Sequence, residues 1–199
     1  MKGFFDGNQY KTKEGRKIKS CASCGLLTEN PLRQPQGEGG KGILIIVDRL
    51  THTAHSKGNF LADKHGRFLT KILSDLGIIV EQDVWLMSAH ACPSHTQVSN
   101  LQYDCCNKNL KKQIKEIKPK VICSLGNYAT KFFIAEGNVE NMKTVEGITQ
   151  IHGKPRILNF QGLKIKLIPL FHPAAIIYNR SLLGLWEKDM EIVKLEIKN

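Results

Sequence analysis

The 199-residue chain is strongly basic, with 29 Lys and Arg against 18 Asp and Glu for a formal net charge of +11. Its 41% hydrophobic content is ordinary for a globular protein able to bury a core without cross-links. No apolar run approaches the ~20 residues of a membrane span, and the opening MKGFFDGNQYKTKEGRKIKS lacks the apolar stretch of a secretory signal, so the cytoplasm is the expected compartment.

The positive excess gathers at Lys11 to Lys19 and in KNLKKQIKEIKPK, which fits a polyanionic partner, DNA or RNA. A merely solvated helix face accounts for the second cluster as well.

Residues 1–40, rich in Gly, Pro and charge, read as an irregular N-terminal arm, and residues 41–199 as one α/β domain. The first predicted strand is GILIIVD, a short β-branched run of the kind buried on both faces of a sheet. HGRFLTKILSDLG follows with helical spacing at Phe68, Leu69, Ile72 and Leu76, and a stop at Gly77. DVWLMSAHA is the second strand. NLQYDCCNKNLKKQIKEIK is a helix with Leu110, Ile114 and Ile117 on one face, stopped by Pro119. KVICSLG, the third strand, leads into the helix NYATKFFIAEG. LKIKLIPL is the fourth strand, and RSLLGLWEKDMEIVKLEI closes the chain as a helix. This alternation predicts a three-layer sandwich around a central, mainly parallel four-stranded sheet.

Ligands of such sheets gather at the carboxyl ends of the strands. Here those ends bring Asp48, the Ser88–Cys92 stretch, Gly126 and His172 to one rim, with His52, His55 and His90 nearby. His172 opens LFHPAAIIYNR, which suits either a strand end with a helix-opening turn or a catalytic loop whose apolar tip wedges into a partner.

Six cysteines remain to be placed. A chain of the cytoplasm is not expected to hold disulfides, so Cys21-x-x-Cys24, in an arm rather than at a strand-to-helix junction, reads as a metal site. With two more thiolates it suits zinc or an iron–sulfur cluster, and spacing does not separate them. Cys123, inside a buried strand, reads as a small core hydrophobe.

Together these pieces resemble the uracil-DNA glycosylase superfamily, most closely its iron–sulfur (family 4) branch, from Cys21 to about Ile197. The carrying motifs are Cys21-x-x-Cys24, a cysteine after the second strand (Cys92), the helix CNKNLKKQIKEIKPK opening at Cys106, VICSLGNYA, and HPAAI. The resemblance implies that Cys21, Cys24, Cys92 and Cys106 bind a [4Fe–4S] cluster, with zinc the lesser alternative. It further implies a monomeric, DNA-binding enzyme that flips out a pyrimidine and hydrolyses its N-glycosidic bond, with Asp48 and His172 catalytic. Val47, Phe60, Leu61 and Ser88 would form the base pocket. Ile176, Ile177 and Tyr178 would be the wedge, and Arg180 a phosphate contact.

The chain also departs from the family. VDRLT stands where Gly-Glu-x-Pro-Gly is usual, GNFLAD where GRPFVG is usual, and Ser88 where an Asn reads uracil's edge. A serine cannot make an amide's paired donor–acceptor contact. These departures predict preference for a modified pyrimidine over plain uracil, with foreign or viral DNA as one setting. They equally suit a DNA-binding or replication-accessory protein that keeps the scaffold without the chemistry.

Overall fold

A computed structural model describes residues 21, 24–26, 30–93 and 99–198 of the chain. The lysine cluster at 11–19 and most of the arm lie outside the described residues. The described elements form one five-stranded sheet in the order β2-β1-β3-β5-β4, with helices on both faces. The strands are β1 (Ile43–Arg49), β2 (Val84–His90), β3 (Val121–Leu125), β4 (Arg156–Phe160) and β5 (Leu163–Leu170). The helices are α1 (His52–Ser56), α2 (Lys64–Asp75), α3 (Val80–Asp83), α4 (Asn100–Ile117), α5 (Asn127–Ile134), α6 (Ile148–Ile151), α7 (Pro173–Tyr178) and α8 (Leu183–Lys198).

β2, β1, β3 and β5 run parallel, which explains why their sequences are continuous apolar runs rather than alternating ones: helices cover both faces. The fifth strand, β4, is the difference from the four expected. It pairs antiparallel with β5 at the sheet edge and is only partly buried, so its apolar signal is thin. Gln161 (φ 54°) and Gly162 (φ 79°) make the two-residue turn between them, a tight hairpin turn with both residues left-handed. That Gln-Gly pair, flanked by ILNF and LKIK, was the available signal.

Two cores result. On one face Leu69 and Leu73 of α2, Ile176 of α7, and Trp186, Met190 and Val193 of α8 pack on Ile43, Ile45, Cys123 and Ile168. On the other, Leu110 and Ile114 of α4 and Phe132 and Phe133 of α5 pack on Leu44, Ile46, Ile122 and Leu167. α4 begins with a capping box, Gln102 N–H donating to Ser99 Oγ (3.3 Å) and Ser99 N–H to Gln102 Oε1 (2.8 Å). It ends at Lys118 in a left-handed conformation before Pro119. The described end of the arm packs along β2: Leu32 N–H donates to Ala91 O, and Gln36 bridges Leu86. No described helix is long and apolar enough to cross a membrane.

Candidate active site

At the carboxyl ends of β1, β2 and β5, on the α2 and α7 face of the sheet, lies a cavity with about 450 Å³ of empty space, part of it open to solvent. Val47, Leu50, Phe60, Leu61 and Leu69 supply apolar walls, and Arg49, Thr51, Asp63, His65 and His172 supply polar groups.

His172 is fixed by the turn it sits in. Pro173, with its preset φ, opens α7 at its first position, and His172 caps that helix. Its Nδ1 accepts the Ala174 N–H at 3.1 Å. A nitrogen that accepts carries no proton, so the neutral ring holds its proton on Nε2. Burial holds the pKa down at about 4, helped by His65 and Arg49 and opposed by Asp63, so the ring is neutral at physiological pH. Of the two expectations for LFHPAAIIYNR, the helix-opening turn is what forms, and it is this turn that aims the histidine.

The carboxylate in the cavity is Asp63. It caps α2, taking the Gly66 N–H on Oδ1 at 2.7 Å and the Thr51 hydroxyl on Oδ2 at 2.6 Å. Those bonds and nearby His65 outweigh its burial and keep its pKa low. His65, in the first turn of α2, has Nδ1 3.5 Å from Asp63 Oδ2. Its ring meets His172 edge to face, with centroids 5.8 Å apart. Both His65 ring nitrogens are buried without a hydrogen-bond partner among the described residues. Sequence reasoning missed Arg49, Thr51, Asp63 and His65. The signal was positional: a helix that follows a parallel strand starts at the rim, so polar residues in its cap and first turn face the site.

Asp48 stands at the same edge but on the opposite face. Along β1 side chains alternate, so Val47 and Arg49 line the cavity while Asp48 turns toward α5. Its Oδ1 accepts the Ala129 N–H at 2.7 Å and its Oδ2 the Tyr128 N–H at 3.2 Å. Burial raises its pKa to about 6 against the pull of these bonds and of Arg49. Asp48 and His172 are therefore on one rim but not in one cavity.

A profile of the Uracil DNA glycosylase superfamily matches residues 36–195. The chain belongs to the uracil-DNA glycosylase superfamily. Its relatives include the type-4 uracil-DNA glycosylase of Archaeoglobus fulgidus, 27% identical over 179 residues that cover 88% of this chain and 87% of that one. Those of Saccharolobus solfataricus (25% identical; 89% and 82% covered) and Thermotoga maritima (29%; 83% and 82%) are similar over comparable lengths.

Of the four residues expected to wall a base pocket, Val47, Phe60 and Leu61 line the cavity and Ser88 does not. The Ser88 hydroxyl is bound within its own strand end, donating to His90 O (2.8 Å) and accepting from His90 N–H (3.3 Å). Neither His52 nor His55 lines the cavity. His90 is fully buried against Cys92 O (2.6 Å) and Tyr103.

The expected wedge needs correction at Ile176. That side chain is 0% exposed and part of the core, so it cannot enter a duplex without unpacking α7. Ile177 is half-buried, Tyr178 is 73% exposed, and Arg180 is exposed just beyond it. Lys64 Nζ donates to the Tyr178 hydroxyl at 2.7 Å.

Cys21, Cys24, Cys92 and Cys106 lie near one another just beyond the carboxyl end of β2. Cys24 N–H donates to Cys21 O (3.1 Å), and Gln102 Nε2 ties that turn to α4 through Cys24 O (3.1 Å). Burial lifts the Cys106 thiol to about 12, eased by the Ala91 backbone, with Cys21, Cys92 and Cys24 close enough to add to it. Cys105 feels Cys24 and Cys21 after burial. Cys123 is enclosed in β3, where burial alone raises its thiol to about 12. Among the described residues no three His, Cys, Asp or Glu surround one point closely enough to hold a single metal ion.

Proposed function

We propose that the chain is a monofunctional DNA glycosylase, drawing a pyrimidine nucleotide out of DNA into the cavity and hydrolysing its N-glycosidic bond. The observation that carries this function is the His172 turn: a neutral histidine, its Nδ1 occupied by the Ala174 N–H, with Nε2–H left to donate at the wall of the rim cavity. The type-4 uracil-DNA glycosylase relatives support the same chemistry.

Cleavage breaks the bond between the sugar C1′ and the base nitrogen. The electron pair leaves with the base, water supplies the hydroxyl that C1′ gains, and the water's remaining proton ends on the base. Positive charge builds on the sugar and negative charge on the base oxygens. His172 Nε2–H donates to a base carbonyl where that negative charge grows. Asp48 at the rim supplies the anion that offsets charge on the sugar or holds the water; two backbone amides occupy only part of its acceptor capacity. Ile177 and Tyr178 press into the stack that the flipped nucleotide leaves, and Arg180 holds a phosphate.

Cys21, Cys24, Cys92 and Cys106 would hold a [4Fe–4S] cluster, whose part is to bind the arm to α4 and the end of β2. Their mutual electrostatic influence supports a shared site. A zinc ion, the alternative occupant, would need four sulfurs ~2.3 Å from one point.

One observation favours a second reading, a DNA-binding protein without catalysis: the Asp48 carboxylate faces α5 and not the cavity. The deciding experiment incubates the protein with duplexes carrying uracil or modified pyrimidines and scores alkali-labile abasic sites. Excision that His172→Ala slows by roughly a hundredfold is expected; DNA binding with no excision on any substrate would leave the second reading standing.

A further inference from the structure

We propose that His65 determines base specificity: its Nε2 lone pair accepts the ring N3–H of a flipped 2,4-dioxopyrimidine while His172 Nε2–H donates to the neighbouring carbonyl. This rests on the glycosylase reading above and names the class of base that the site takes.

Three observations converge. First, the residue expected to read the base edge, Ser88, spends its hydroxyl on its own strand and does not line the cavity. Second, His65 does line it, and both of its ring nitrogens are buried without a hydrogen bond among the described residues. A buried polar atom left unsatisfied is costly, and a site that carries one gains when a ligand fills it. Third, the surroundings set the polarity of each ring. Asp63 Oδ2 stands 3.5 Å from His65 Nδ1, and that carboxylate is already anchored by Thr51 and Gly66. In the tautomer whose proton sits on Nδ1, the side facing the anion, the Nε2 lone pair is left as acceptor. His172 is the mirror case, with an accepting Nδ1 and a donating Nε2.

The cavity thus offers one acceptor and one donor on rings whose centroids are 5.8 Å apart. The complementary edge carries N–H beside C=O, as in uracil and other 2,4-dioxopyrimidines. Cytosine presents a bare N3 lone pair there and would face the His65 lone pair, a repulsive pairing. Two histidines from α2 and the β5–α7 junction therefore do the reading that one amide side chain does elsewhere in this superfamily.

The test compares excision from duplexes containing deoxyuridine and N3-methyl-deoxyuridine, which differ at the atom His65 is assigned to. Wild type should excise the methylated base roughly 30-fold or more slowly, as loss of a buried hydrogen bond plus a misplaced methyl implies. His65→Ala should bring the two rates within about threefold, by losing rate on uracil and tolerating the methyl. His65→Gln, which keeps an acceptor, should restore much of the discrimination, and both variants should unfold near the wild-type temperature. His172→Ala should slow both substrates alike. Undiminished discrimination in a folded His65→Ala protein would overturn the role of His65 while leaving the glycosylase reading intact. A wild type that excises neither base would overturn the glycosylase reading and this role with it.

Discussion

A Cβ placed on Gly126 would lie 2.6 Å from Asp48 Oδ2, so the carboxylate sits where a side chain of the next strand's turn would otherwise be. Gly126 also has φ 106°, a conformation that side chains rarely adopt. Glycine is required twice here, by backbone and by space. Gly126→Ala should lower stability by about 1–3 kcal/mol, read by urea unfolding. It should also lower excision, because the carboxylate must leave the Tyr128 and Ala129 amides. An unchanged unfolding midpoint would show that the turn relaxes freely.

The two perturbed rim groups set opposite pH dependences over one window. Asp48 has a folded pKa of about 6 against an ordinary 3.8, so its stabilising contribution is complete below ~3.8 and is lost as pH rises through about 6. His172 has a folded pKa of about 4 against 6.5, so its contribution is complete above ~6.5 and is lost as pH falls through about 4. Between pH 4 and 6 they oppose each other. Asp48→Asn should therefore make the protein more acid-sensitive across that range, and His172→Gln less so, measured as urea midpoints at each pH. Parallel curves for both variants and wild type would refute the assignment.

Excision should follow the same groups. Asp48 must be ionised to offset charge on the sugar, so the single-turnover rate should rise with pH through about 6 and then level off. His172 is already neutral there and should add no limb above pH 5. Asp48→Asn should lose roughly a hundredfold in rate and flatten the profile. A retained limb near pH 6 in that variant would move the titrating group elsewhere.

The parallel strands, both helical layers and the rim positions of Asp48 and His172 were legible because buried parallel strands leave long apolar runs and ligand ends follow from their direction. β4 escaped because an edge strand alternates weakly. The face of the sheet was the harder matter. Asp48 and Val47 are adjacent in sequence, and only the register decides which of them meets the cavity. Ile176 looked exposed in a short apolar tip, yet α7 turns it into the core and leaves Tyr178 outside. The expected loss of uracil preference was argued partly from Ser88, a residue that the fold withdraws from the cavity, whereas His65, in the first turn of α2, lines it.

The cysteines yield a register test. Anaerobically purified protein should be brown and carry about four irons per chain. Cys21→Ala and Cys106→Ala should lose iron, since their thiols share surroundings with Cys24 and Cys92. Cys123→Ala should keep it, because that thiol is sealed in β3. Iron lost in Cys105→Ala but kept in Cys106→Ala would shift the fourth ligand by one residue along α4. Stoichiometric zinc without iron would refute the cluster.

The tip after His172 separates packing from insertion. Ile176 is fully buried, so Ile176→Ala should cost about 2–5 kcal/mol of stability. Tyr178, 73% exposed, contacts Lys64 and the His65 ring at the surface, so Tyr178→Ala should leave stability within about 0.5 kcal/mol of wild type, read by urea unfolding. On DNA the order should reverse. Encounter with duplex depends on phosphate neutralisation and should weaken steeply with salt in every variant. Tyr178→Ala should keep that salt slope yet slow excision several-fold, because the vacated stack is left unfilled. Arg180→Ala should instead weaken binding at low salt and reduce the slope by about one unit. Stopped-flow fluorescence of a 2-aminopurine beside the target base would report flipping directly. A Tyr178→Ala protein that flips and excises at the wild-type rate would show that no exposed aromatic enters the duplex, leaving half-buried Ile177 as the remaining candidate.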